Sequence, residues 1–354
     1  MLGSDLMAEQ FDIVIMGGGP AGAVTALCLS RNGWRVALFE RGSFDQVRIG
    51  ETLPPEINPV LRNLGLWEPF LLQSPLESPG TISVWGSSAP TEVDFTGNAF
   101  GCGWHVDRRR FDAMLCREAA KSGTSLFLGR AVRWAREAEM WRVGDVCAKI
   151  LVDATGRNGL PLDGRGDRSW DDVLLAVVLP ISIQPGRFLD LRTCIETAPA
   201  GWWYSTLLPS GDALAVFFTG AEVYRESGVS LSEQLQAAPR TRRRLDEGTV
   251  GEPRIVLAPS GRRGKLFGKD WVAVGDSASC YDPLSGRGIF KALRQGQAAA
   301  RAIDTRLRGD LTETDKYAEL VEREFDQYAR QRTIYYSLEH RWADQLFWRR
   351  RRNP

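Results

Sequence analysis

The chain has 354 residues, 43% of them hydrophobic and 25% charged, a globular composition that excludes a disordered or fibrous protein. At roughly 100–200 residues per domain the length predicts two domains. Lys+Arg 45 against Asp+Glu 44 leaves a formal charge of +1, which gives no general attraction for nucleic acid.

Six cysteines (Cys28, Cys102, Cys116, Cys147, Cys194, Cys280) form no C-x-x-C pair, and His105 and His340 are the only imidazoles. Neither a metal site nor a disulfide framework is expected. The longest apolar run, residues 173–180, has eight residues against the ~18 of a membrane span. Residues 13–16 run into glycines rather than a cleavage site. A cytoplasmic protein with no membrane span is expected, with residues 1–10 as a disordered leader.

In chain order, residues 11–16 are a β-branched run suited to a buried parallel strand. Gly17-Gly18-Gly19-Pro20-Ala21-Gly22 then matches G-x-G-x-x-G, and a helical stretch over 23–31 stops at Asn32-Gly33. A second strand over 35–39 ends on Glu40, 18 residues after Gly22 and close to the ~20 expected of the acid that accepts ribose hydroxyls. The first glycine permits the turn, the second admits a pyrophosphate to the backbone, and the third lets helix pack on strand. The helix N-terminus faces the phosphates. Glu40 predicts a ribose with a free 2′-hydroxyl, as in FAD or NAD.

Two later segments bear on that choice. Residues 148–152 lead into Asp153-Ala154-Thr155-Gly156-Arg157. Residues 271–275 lead into Asp276, then Asp282-Pro283-Leu284-Ser285-Gly286-Arg287-Gly288-Ile289 and a helix. Asp276 is placed for a ribityl hydroxyl, and the 286–289 turn presents N–H groups to an anion. Together these motifs resemble the p-hydroxybenzoate-hydroxylase-type flavoproteins over most of residues 11–305. The resemblance implies an α/β fold: an FAD-binding Rossmann-like domain of the glutathione-reductase type, an inserted antiparallel-sheet substrate domain and a C-terminal helix. It implies a cofactor set of Gly17, Gly19, Pro20, Ala21, Gly22, Glu40, Arg41, Arg48, Arg108, Val132, Asp153, Gly156, Asp276, Pro283, Gly286, Gly288 and Ile289. Arg109 and Arg110 read as a solvated helix face. With one dinucleotide fingerprint, NAD(P)H is expected to act transiently or through a separate flavin reductase.

Residues 48–55, Arg-Ile-Gly-Glu-Thr-Leu-Pro-Pro, precede a helix with an apolar face at Ile57, Val60, Leu61 and Leu64 and a stop at Gly65. This segment is similar to that of tryptophan-halogenase-like flavoproteins and of flavoproteins that oxidise a partner polypeptide's tryptophan during quinone-cofactor maturation. Arg341-Trp342 and 347–350, Phe-Trp-Arg-Arg, resemble the second group. Halogenases of this kind carry a lysine seven residues after that glutamate; here Asn58 stands there. They also carry W-x-W-x-I-P, from which Tyr204 and Thr206 depart.

The expected activity is therefore FAD-dependent monooxygenation of an aromatic substrate, an indole free or in a peptide, through a flavin C4a-hydroperoxide. A halogenase, or an FAD-dependent reductase or dehydrogenase of an isoprenoid-like substrate, is the alternative. Glu51 is the acid/base candidate, against a structural role capping the next helix or pairing with Arg48. Trp202, Trp203 and Tyr204 are candidates for an aromatic substrate wall, against a place in a half-buried sheet. His105, next to Trp104, is a candidate to face the flavin, against the commoner place of a lone histidine as a satisfied core residue. The four arginines 349–352 read as a solvated basic end, or as a patch steering an acidic substrate protein. The expected division is residues 11–76, 101–160 and 254–308 for FAD, 77–100 and 161–253 for substrate, and 309–354 as a C-terminal helical segment capped by Thr312.

Overall fold

The computed structural model describes residues 9–46, 48–162, 168–184, 187 and 190–352. Ile13, Val14 and Ile15 are fully buried, because the strand Glu9–Met16 is covered on both faces, as parallel strands are. It lies between Val36–Glu40 and Val146–Asp153, parallel to both. Ser125–Leu128 extends the sheet beyond Val36–Glu40, and Trp271–Ala273 runs parallel to Val146–Asp153. The antiparallel strands Met140–Val143 and Trp134–Glu137 bring this sheet to seven strands.

Helix Pro20–Arg31 starts on proline and ends at Asn32, with Gly33 at φ 87°. It packs close to helix Gly288–Leu307: Thr25 Oγ1 lies 3.3 Å from the Gly296 carbonyl, and a Cβ on Gly296 would come within 2.8 Å of the Ala21 oxygen. Helix Arg108–Lys121 is capped by Asp107, whose carboxylate accepts the Arg109 N–H at 2.8 Å.

The second sheet has nine strands. Arg168–Ile183 pairs antiparallel with Ala213–Gly220 on one side and with Arg254–Arg263 and Gly248–Val250 on the other. Gly201–Leu207 and Thr193–Ala198 follow Ala213–Gly220, then Gly80–Val84, parallel, and Thr91–Asp94. Ser279–Cys280 pairs with Arg254–Arg263 at the opposite edge. One face packs Leu174, Trp202, Val216 and Phe218 against Tyr336, Phe347 and Trp348. The other packs Leu179, Trp203, Leu207 and Phe217 with Ala238 and Leu245.

Three expectations change here. Residues 254–263, assigned by sequence to the FAD unit, are a strand of the second sheet, because their ladder partner is Arg168–Ile183. Glu9 and Gln10, placed by sequence in the disordered leader, instead pair with Val146 and Cys147; residues 1–8 lie outside the described residues. Thr312 does not cap the helix Thr312–Leu338 but is its first residue, and its N–H and hydroxyl both donate to Asp310. Among the described residues no helix is long and apolar enough to cross a membrane.

Candidate active site

The glycine turn has the geometry of a ligand cradle. A Cβ on Gly17, at φ 110°, would lie 2.2 Å from the Ala154 oxygen, and one on Gly22 would lie 2.0 Å from the Gly17 oxygen. A Cβ on Gly19, Gly286 or Gly288 would meet nothing within 4 Å. Gly17 and Gly22 are therefore glycines for the fold, whereas the other three border open space. Gly19 precedes the first helix and Arg287 precedes helix Gly288–Leu307, and neither makes a side-chain capping hydrogen bond to the helix N–H groups. Two uncapped N-termini facing open space fit the phosphates and the ring-carbonyl end of an FAD. Gly286 supplies the left-handed turn at φ 59° between Pro283 and the helix, and Ile289 is buried beneath it.

Glu40 is buried at the end of its strand and accepts the Gly18 N–H at 2.7 Å and the Gly42 N–H at 2.9 Å. Arg48 joins it to Asp112, at 3.2 and 3.0 Å. Arg108 completes the ladder, gripping Asp112 with two nitrogens and donating to the Ile49 carbonyl at 2.6 Å. These arginines tie Glu40 to the loop that carries Glu51. Arg41 is exposed, and Val132 packs beneath Gly144. Asp112 carries no motif and is missed by sequence; its i,i+4 spacing from Arg108 is the only signal.

Asp153 departs from expectation. It is fully buried, and its four lone-pair positions are taken by Thr155 N–H and hydroxyl, Leu160 N–H and Arg263. It shapes the loop through half-buried Gly156 and has no acceptor left for a ligand. Asp276 is one third exposed and lies between Lys291, at 2.8 Å, and Arg157, at 3.4 Å. Burial opposes its charge, but Lys291 and Arg157 outweigh that and hold its carboxyl below the usual range. Lys291 is buried in the first turn of the helix after Gly288, and sequence reasoning missed it.

Glu51 is buried, with one oxygen accepting the Gly50 N–H at 3.0 Å and the other without a partner among the described residues. Burial pushes its carboxyl up to about 7, against the pull of nearby backbone N–H groups and Arg108. Neither expected structural role is present: Arg48 is held by Glu40 and Asp112, and helix Ile57–Asn63 has no side-chain cap.

A cleft of about 580 Å³ opens between the Asp282–Arg287 turn, helix Thr312–Leu338 and the sheet edge at Thr81, Trp85 and Ile195. Trp202 and Trp203 do not line it. As neighbours on one strand they point to opposite faces. Trp202 stacks on Phe218 at 4.2 Å and Trp203 packs on Phe217 at 4.8 Å, both in cores. The aromatic wall is thus reduced to Tyr204, which does not line the cleft itself but is the cross-strand neighbour of the cleft-lining Ile195.

Asn58 is buried under the same loop. Its amide donates to the carbonyls of Phe100 at 2.7 Å and Cys102 at 3.1 Å and accepts from Trp104 Nε1 at 2.7 Å. The basic end is only partly solvated. Phe347 and Trp348 are fully buried, and Arg351 is 4% exposed and paired to Asp172, so it cannot steer a partner; Arg349 and Arg350 are exposed. Arg332 bridges Asp172 to Asp282, which accepts the Leu284 N–H of the glycine-rich turn.

The sequence profile of the family described as tryptophan halogenase matches residues 12–78 and 85–354. The putative FAD-dependent oxidoreductase LodB of Marinomonas mediterranea is 30% identical, over 97% of this chain and 97% of its own length. The crystal structure of CmlS, a flavin-dependent halogenase, is similar at TM-score 0.84 and 26% identity, over 98% of this chain and 68% of that one. QhpG, a peptidyl tryptophan dihydroxylase essential for tryptophylquinone cofactor biogenesis, is similar at TM-score 0.75 and 25% identity, over 97% of this chain and 78% of that one. These likenesses establish a flavin-dependent oxidoreductase fold and imply FAD. Between the two chemistries they favour halogenation, the alternative in the sequence reading, over hydroxylation. The chain belongs to the tryptophan halogenase family of flavin-dependent enzymes.

Proposed function

We propose that this family member is an FAD-dependent monooxygenase that hydroxylates an aromatic ring, an indole free or within a polypeptide. The observation that carries the reading is Asn58. At the position where halogenases of this kind hold a lysine, the side chain is an amide spent on Phe100, Cys102 and Trp104. It has no amine to carry an electrophilic halogen.

FAD would be held by the Gly17–Gly22 turn, Glu40 with its Arg48 partner, Asp276, and the turn through Pro283, Gly286 and Gly288. Once reduced, it supplies the electrons that activate dioxygen. The chain's own residues then exclude water and manage a proton. Glu51, buried and half-protonated near neutral pH, can hold or release a proton at its unpartnered oxygen. The cleft beside Tyr204 receives the ring, and Trp85, Phe290 and Tyr335 offer it aromatic surface. Reduction by NAD(P)H, directly or through a separate flavin reductase, belongs to the same proposal, as does a cytoplasmic site suggested by six free thiols. The proposed division is residues 11–76, 101–160 and 264–308 for FAD, with 77–100 and 161–263 as the substrate roof.

Halogenation is the competing reading, and the family match and CmlS support it. The test is anaerobic reduction of the FAD-loaded protein, then aeration with indole, tryptophan or a tryptophan peptide, with and without chloride and bromide. A product that gains oxygen without halide supports hydroxylation; a halide-dependent product overturns it. Equal turnover without oxygen would leave an isoprenoid-type reductase or dehydrogenase.

A further inference from the structure

Arg332 reaches the cleft from helix Thr312–Leu338. Its side chain is 9% exposed, and two of its three nitrogens are committed: Nε donates to Asp282 at 3.3 Å and Nη2 to Asp172. Nη1 has no acceptor among the described residues, and it is not one of the unpartnered polar atoms sealed inside the fold. It therefore meets open space, and the open space that Arg332 lines is the cleft.

Neither carboxylate is free to turn toward Nη1. Asp282 also accepts the Leu284 N–H at 2.9 Å and the Tyr336 hydroxyl at 2.8 Å, and Arg351 holds Asp172 at 2.7 and 2.6 Å. The guanidinium is thus fixed before any ligand arrives, and binding costs it little rotamer freedom. It lies over the Tyr336 ring at 5.1 Å, and Trp85 packs edge-on against that same ring at 5.7 Å. Trp85 is itself anchored, donating its Nε1 hydrogen to the Tyr335 carbonyl at 2.7 Å. A rigid aromatic surface and a rigid cation, both lining the cleft, therefore flank one side chain.

Charge in the cleft points the same way. Arg287, Lys291, Arg294 and Arg332 line it against two carboxylates, Asp282 and Glu324, and Glu324 is already paired with Arg294 at 3.2 Å. Glu56 and Asp276, which pair with Arg287 and Lys291, lie outside the lining. The cleft favours an anion.

We propose that Arg332 selects the substrate, its Nη1 donating to a carboxylate carried by the same molecule as the aromatic ring. That carboxylate belongs to a free aromatic acid or to an acidic residue beside a tryptophan in a polypeptide; both present the same group to the same nitrogen. A hydrogen bond between two charged groups is about twice as strong as one to an uncharged acceptor, so a nearly buried guanidinium discriminates between them.

The inference rests on the reading of the cleft as the aromatic-substrate site of an FAD enzyme. Equilibrium dialysis of the FAD-loaded protein compares indoleacetate with uncharged methylindole, and the blocked dipeptide Glu-Trp with Gln-Trp. The charged member of at least one pair should bind about tenfold more tightly, and a preference confined to one pair tells a free acid from a polypeptide. The preference should survive about 0.5 M sodium chloride, which screens exposed arginines, and persist in Arg294→Gln. It should be lost in Arg332→Lys, whose single ammonium cannot span Asp172, Asp282 and a ligand. A preference kept by a folded Arg332→Lys overturns the assignment. So does equal affinity within both pairs, or a preference abolished by salt or by Arg294→Gln, whether or not Arg332→Lys folds. A wild type that takes up no FAD instead overturns the functional reading.

Discussion

The indole hydrogen of Trp104 is donated to the side-chain oxygen of Asn58 at 2.7 Å, both groups buried beneath the loop that carries Glu51. The same amide holds the carbonyls of Phe100 and Cys102, so Asn58 ties helix Ile57–Asn63 to residues 100–104. Asn58→Lys should therefore not create a halogenase. It leaves the Trp104 N–H unpaired and buries a cation, at a cost of at least about 2 kcal/mol. Urea unfolding of the FAD-loaded variant measures the loss, and halide-dependent product from it would contradict this account of the site.

Glu51 gives stability a defined pH dependence. Its folded carboxyl titrates near 7 rather than at the ordinary 4.5 because it is buried. Between those values the folded state binds more proton than the unfolded state, so stability falls as pH rises from about 4.5 to 7 and then levels off. The lost stability is on the order of 3 kcal/mol. Glu51→Gln should match wild type at pH 4.5 and exceed it at pH 8, by unfolding free energies measured at both. A variant difference independent of pH would show that Glu51 titrates normally.

The glycine turn separates folding from binding. A Cβ on Gly22 would lie 2.0 Å from the Gly17 oxygen, so Gly22→Ala should destabilise the flavin-free protein by about 1–3 kcal/mol. Gly19 is at φ −70° and faces open space, so Gly19→Ala should fold as wild type. Its methyl group would stand where a pyrophosphate must approach, and FAD affinity should drop at least about tenfold. Thermal unfolding of the apo-protein and FAD titration read the two effects apart.

Of the four arginines 349–352, Arg351 is the buried one. Arg351 makes hydrogen bonds of 2.7 and 2.6 Å to Asp172, and Arg332 occupies the same carboxylate. Arg351→Met should cost about 3 kcal/mol, the low end for breaking a buried pair, because Arg332 remains. Exposed Arg349→Ala should change stability by less than about 0.5 kcal/mol. Denaturant midpoints of the two variants test the contrast.

The parts legible in sequence are those written within a few residues. The strand–glycine–helix unit ending on Glu40 was readable because turn geometry, strand burial and helix start are local demands on residue type. The strand through Trp202 and Trp203 and the long helix past Tyr328 were readable from the periods of their side chains.

What the tertiary structure decided is which groups are left over once contacts distant in sequence have formed. Asp153 belongs to a genuine motif, yet Arg263, 110 residues away, takes its last acceptor position. Glu51 is free to titrate because Glu40 and Asp112 hold Arg48, and Arg351 is buried because Asp172 lies under it. Tyr204 and Thr206 looked like blemishes in a motif until Thr52 and His105 came beside them. A residue type sets which hydrogen bonds and charges are possible. Which of them stay unsatisfied, and therefore available to chemistry, depends on partners that only the folded chain brings within reach.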